Sequence, residues 1–121
     1  MLAKNILKEF ETITDYWSPK IIGELNGQYL KIAKIKGEFV WHDHSDEDEM
    51  FWVIKGEMDL RFRDKTVHLG EGDFYVISKG VEHNPKAEEE CFIVLLEPKS
   101  TKHTGDVTTD VTKSIDEQLK G

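Results

Sequence analysis

A chain of 121 residues is the size of one domain, and 38% apolar residues with Phe 6, Trp 3 and Tyr 3 supply one core. A formal net charge of -8, from 16 basic and 24 acidic side chains, argues against nucleic acid or an anionic membrane as partner. No run approaches the ~20 apolar residues of a membrane span, no secretory signal is visible, and the single Cys91 allows no intrachain disulfide, so a cytoplasmic protein is expected.

In chain order, Asn5 is placed to cap a short helix carrying Ile6, Phe10, Ile13 and Trp17 at helical spacing and ending near Ser18-Pro19. The alternative is an irregular arm, and either way residues 1–25 read as an N-terminal extension. From Gln28 the texture becomes short β-rich runs punctuated by glycine, with strands expected at 29–35, 39–44, 50–55, 57–63, 66–69, 74–78 and 91–97. Met58, Leu60 and Phe62 alternate with Asp59, Arg61 and Arg63, the pattern of a half-buried strand. Such strands at even spacing predict an all-β sandwich or barrel occupying about 26–98 of a single domain, 1–121. The polar, threonine-rich stretch 99–121 forms a C-terminal tail, in which Ser114-Ile115-Asp116-Glu117 fits a capping box.

The runs Met50 to Ile54 and Phe92 to Leu96 are apolar on both faces. A small barrel has only one inside, so their outer faces need cover from the terminal segments or from a second copy, and a homodimer is expected. Cys91 lies in the second run and reads as an inert core thiol.

The chemistry concentrates around His42, His44 and Glu49. Residues two apart in a strand share a face, so His42 and His44 would project side by side. Glu49 opens the next strand in phase with Phe51 and Val53, which suit a barrel interior and a pocket wall. A turn through Ser45 to Asp48 would return it beside the two histidines. His83, beyond a glycine turn, a strand and a second glycine turn, could reach the same point from across the barrel.

Residues 37–56 resemble the first cupin motif, G-x5-H-x-H-x3,4-E-x6-G, and residues 72–83 the second, G-x5-P-x-G-x2-H-x3-N. There are three departures: Gly37 and His42 are one residue closer than the pattern, Ser78 stands in the proline position, and Ala87 in that of the final asparagine, with Asn84 nearby. The resemblance implies a double-stranded β-helix (a jelly-roll barrel) with short terminal extensions. It also implies one divalent metal ion on His42, His44, Glu49 and His83. Three nitrogens and one oxygen suit Fe, Mn, Ni, Zn, Co or Cu and disfavour Ca and Mg. One or two open positions would let the ion serve as Lewis acid or activate water. The function implied is a metalloenzyme for a small polar molecule, of dioxygenase, isomerase or decarboxylase type. A non-catalytic ligand-binding module, or a structural dimer with an incidental metal, is the alternative. His68 should face outward, His103 lies in the tail, and the runs Asp46 to Asp48 and Glu88 to Glu90 read as a solvated turn and an exposed loop.

Overall fold

The computed structural model describes residues 2–99, so His103 and the capping box at Ser114 lie outside the described residues. Asn5 caps α1 (Ile6–Phe10) by accepting the Lys8 amide at 3.1 Å. The helix has five residues and stops well short of Ser18-Pro19. One turn of helix has little stability of its own; Phe10 anchors it, buried and stacked on Phe92 with centroids 4.6 Å apart. Ile13 is also buried, but on an irregular segment, and Trp17 takes a left-handed φ of 58° that ends any helical path. The capped helix and the irregular arm therefore both exist, one after the other.

The sheet begins earlier than the sequence suggests. β1 (Lys20–Leu25) lies inside the stretch read as an extension; its adjacent Ile21 and Ile22 and a register shift before Gly23 hide the strand alternation. It is followed by β2 (Gln28–Glu38), β3 (Glu49–Lys55), β4 (Met58–Phe62), β5 (Thr66–Leu69), β6 (Phe74–Ile77) and β7 (His83–Pro98). These form one antiparallel sheet in the order β1-β2-β7-β3-β6, with β4 joined to β7 and β5 to β4. Wrapped around one interior, it is the all-β jelly-roll barrel that the motifs imply.

The long strand β7 is the spine of the barrel. It pairs with β2 along one edge, and along the other with β4 through His83 to Lys86 and then with β3 through Phe92 to Leu96. The glutamates at 88–90 are exposed as expected, yet they belong to this strand and not to a loop. Between its two partners β7 meets the turn at Gly56, where φ is +87° and a Cβ would lie 2.8 Å from the Glu90 carbonyl oxygen. Only glycine fits that approach. Residues 39–44, expected as a strand, make only an isolated bridge at His42.

Side chains alternate across the sheet, and two clusters result. Inside the barrel, Ala33, Ile35, Phe51, Val53, Leu60, Cys91, Ile93 and Leu95 pack together. On the outer side, Ile32 and Val94 are covered by Phe10, Ile13 and Ile22, so the N-terminal segment supplies the cover that the doubly apolar β7 needs. Part of the outer face of β3 and β6 is left bare: Ile54 packs against this outer cluster, but Trp52 is 40% exposed, and its cross-strand partner Phe74 62%. No helix among the described residues is long and apolar enough to cross a membrane.

Candidate metal centre

β7 starts at His83, and its first backbone groups fix the far histidine beside the near ones. The His42 amide donates to the His83 carbonyl at 3.0 Å and the His83 amide returns a bond to His42 at 2.9 Å. The loop before His83 is pinned at two further points: the Gly80 amide donates to the His44 carbonyl at 2.8 Å, and the Lys79 amide to the Asp48 carboxylate at 2.9 Å. Asp48 thus joins the two motif loops, beyond its expected role in a solvated turn. Buried Asn84 adds a clamp, donating from Nδ2 to the Phe39 carbonyl at 3.0 Å while Arg61 donates to its Oδ1 at 2.6 Å. Asn84 holds the loop although Ala87, in the asparagine position, packs in the apolar interior.

His42, His44, Glu49 and His83 converge, each 5% exposed or less. One ligand atom from each lies within 4.8 Å of all the others. The Nδ1 atoms of His42 and His83 sit 2.9 Å from the carbonyls of Val40 and Val81. Carbonyls can only accept, so both Nδ1 atoms carry the proton and both Nε2 lone pairs point into the cluster. There the Nε2 atoms of all three histidines and Glu49 Oε1 are buried without hydrogen-bond partners. Buried polar atoms are ordinarily satisfied; four that face one another without partners are what a cation would satisfy. Donors at ~2.0–2.2 Å from a common ion lie at most ~4.4 Å apart, so contraction by a few tenths of an ångström would complete the shell. The residues fit a transition metal ion and could hold one.

The electrostatics favour this donor state at His42 and Glu49 and oppose it at His44. Burial, reinforced by His83, pushes His42 down to about 4, so it is a neutral donor at pH 7. Burial also opposes charge on His44, but Glu49, 3.3 Å from its Nε2, reverses the effect with help from Glu47 and Asp43 and raises it. Burial alone would raise Glu49; Glu97 and the imidazoles of His44 and His83 instead hold it well below the usual carboxylate range.

Glu97 escaped the sequence reading, as did its partner Lys31. Both side chains are fully buried and form an ion pair of 2.7 Å directly behind Glu49. Burial and the charge of Glu49 push Glu97 well above the carboxylate range, against the pull of Lys31. A signal existed: Lys31 is in phase with the inward-facing Ala33 and Ile35, and Glu97 with Ile93 and Leu95. Two other single-residue expectations hold. His68 points outward and pairs with Asp59 at 2.8 Å, and Cys91 is a buried thiol pushed up to about 12 by burial and then by Glu57.

A small cavity, partly open to solvent, adjoins the cluster. His42 and Glu49 form its polar end, and Trp17, Ile35, Phe39, Phe51, Ile93 and Leu95 line most of the rest. Phe51 takes the expected wall position. Val53 does not: two residues further along β3 and paired with Ile93, it belongs to the interior packing. Trp17 reaches the cavity from the N-terminal arm, held by bonds from its amide to Lys34 O at 2.9 Å and from Nε1 to Lys36 O at 2.8 Å, and stacked on Phe39 at 4.6 Å.

Residues 30–97 match the family model described as "Cupin domain". Among solved structures, a cupin-2 domain containing protein from Shewanella frigidimarina is 46% identical, with a TM-score of 0.78 over 79% of this chain and 94% of that one. Protein NMB1881 from Neisseria meningitidis is 30% identical, with a TM-score of 0.75 over 81% of this chain and all (100%) of that one. The uncharacterized protein YdbB of Bacillus subtilis (strain 168) is 39% identical over 67 residues, which are 54% of this chain and 59% of that protein. The match therefore spans less than two thirds of that curated relative.

Proposed function

The chain belongs to the cupin family, and from that premise we propose that it is a metal-dependent enzyme whose single divalent ion sits on His42, His44, Glu49 and His83. The observation that carries this reading is the set of buried, inward-facing Nε2 and carboxylate atoms that lack any other partner. When bound, the ion would act as a Lewis acid with positions open to a small molecule or dioxygen. The protein's own part is to orient the imidazoles of His42 and His83 through backbone carbonyls, to set His44 and Glu49 beside them, to keep Glu49 ionised, and to exclude water with an apolar wall.

Among dioxygenase, isomerase and decarboxylase chemistry, the cavity favours the first. Its described lining has no acid or base besides the ligands His42 and Glu49, whereas isomerisation by proton transfer needs a positioned side chain to move the proton. The same observation supports a second reading, a non-catalytic binding module for a small ligand. Elemental analysis of gently purified protein, followed by oxygen uptake with iron, manganese or nickel restored, tests both. Oxygen uptake that disappears in His83→Ala supports the enzyme; ligand-dependent thermal stabilisation without turnover supports the binding module. The homodimer is kept as a proposal on the bare face of Trp52, Phe74 and Val76, and a monomeric mass by light scattering would contradict it.

A further inference from the structure

Building on the metal-site reading, we propose that the ligand is a compact, mainly apolar molecule with one anionic metal-binding head, and not a polyol or a sugar phosphate. The cavity has polar groups at one end only, and these are the ligands His42 and Glu49 themselves. Its walls are hydrocarbon and aromatic, with Ile35, Phe51 and Leu95 on one side and the stacked Trp17–Phe39 pair on another.

A sugar buried there would bring several hydroxyls against walls with no partner for them, and unmatched buried hydroxyls weigh against binding. A phosphate would meet no lysine, arginine or helix terminus among the lining residues; besides the ion, its polar neighbours would be the ligands His42 and Glu49. The two arginines of the chain are engaged elsewhere: Arg61 with Glu38 and Asn84, Arg63 with Glu82 and the face of Trp41. Charge also selects the head. Three neutral imidazoles, one carboxylate and a divalent ion leave a single positive charge, which one carboxylate, enolate or phenolate neutralises. An apolar body then fills the remaining space, and a flat ring has an aromatic face to lie on.

The test uses cobalt(II)-loaded full-length protein, titrated with acetate, propionate, butyrate and benzoate, and separately with glycerol 3-phosphate, while the visible cobalt spectrum reports occupancy. Affinity is expected to rise about fourfold per added methylene, the factor that corresponds to ~0.8 kcal/mol of burial at 25 °C. Benzoate should bind at least tenfold tighter than acetate, and Trp17→Ala should weaken benzoate more than acetate. Glycerol 3-phosphate should bind no better than acetate. A flat series, or preference for glycerol 3-phosphate, overturns the proposal while leaving the metal site standing. The metal-free protein is examined with 4-fluorotoluene by fluorine NMR, a probe that has no head. If cobalt fails to bind yet this probe is held in a Trp17-dependent way, the metal reading falls and the apolar pocket stands; if neither binds, both fall.

Discussion

The barrel buries two polar clusters side by side, and they differ in whether they close on themselves. Lys31 Nζ lies 2.7 Å from Glu97, so this cluster carries its own cation, even though burial and Glu49 hold Glu97 well above the usual carboxylate range. His42, His44, Glu49 and His83 bring three imidazole Nε2 atoms and a carboxylate together with no lysine or arginine among them. Desolvating either set is unfavourable, and the interior tolerates it only where something offsets the loss. For the first set the offset is internal. For the second it must come from outside, which separates a structural pair from a binding site more sharply than burial or residue type does.

The largest expected effect breaks the closed cluster. Lys31→Met removes the cation beside the coupled carboxyl groups of Glu97 and Glu49, and should cost about 3–5 kcal/mol in urea unfolding. The double variant Lys31→Met with Glu97→Leu should regain most of that loss. If the single variant is as stable as the parent, the pair is not what compensates the charge behind Glu49.

Next is the open cluster without metal. His42 has a folded value of about 4 against 6.5 unfolded, so between those limits the unfolded chain binds the extra proton and acid favours unfolding. Its contribution to stability therefore grows as pH rises from 4 to 6.5, by ~3 kcal/mol at most. His44, raised, acts the other way: its contribution is present below 6.5 and fades as pH rises through its folded value. In metal-free protein, His42→Gln should remove most of the acid sensitivity in this window, as read from denaturant midpoints between pH 4 and 6.5. An unchanged slope would show that His42 is not held neutral by burial.

The smallest effect concerns the support of the open cluster. Asn84→Leu removes the donor to the Phe39 carbonyl and the acceptor for Arg61. It should lower stability by about 1–2 kcal/mol and metal affinity by roughly tenfold, as measured by competition with a chelator. Loss of stability with unchanged affinity would make Asn84 a purely structural clamp.

Much of the open cluster was legible in the sequence, and the closed one was not. His42, His44, Glu49 and His83 stand at motif spacing, and the alternation of Glu49 with Phe51 and Val53 placed that carboxylate inward. The local geometry was less legible: the near histidines lie on an irregular segment tied by backbone bonds, because the chain leaves the sheet after Glu38. Lys31 and Glu97 were passed over because long charged side chains on strands usually reach water, and only their inward phase showed otherwise. β1 was hidden by a register shift. The place of Trp17 in the cavity wall depends on a left-handed backbone that helical spacing could not suggest. Nor does motif spacing carry information on the rest of the cavity wall, such as Ile35, Phe39 and Leu95.

Anomalous diffraction at the cobalt edge from crystals of the loaded protein would locate the ion outright. The account predicts one strong peak per chain at ~2.0–2.2 Å from the Nε2 atoms of His42, His44 and His83 and from a Glu49 oxygen, and its loss in His83→Ala. No peak there, or a peak held instead by the exposed carboxylates of Asp46 to Asp48, would contradict it.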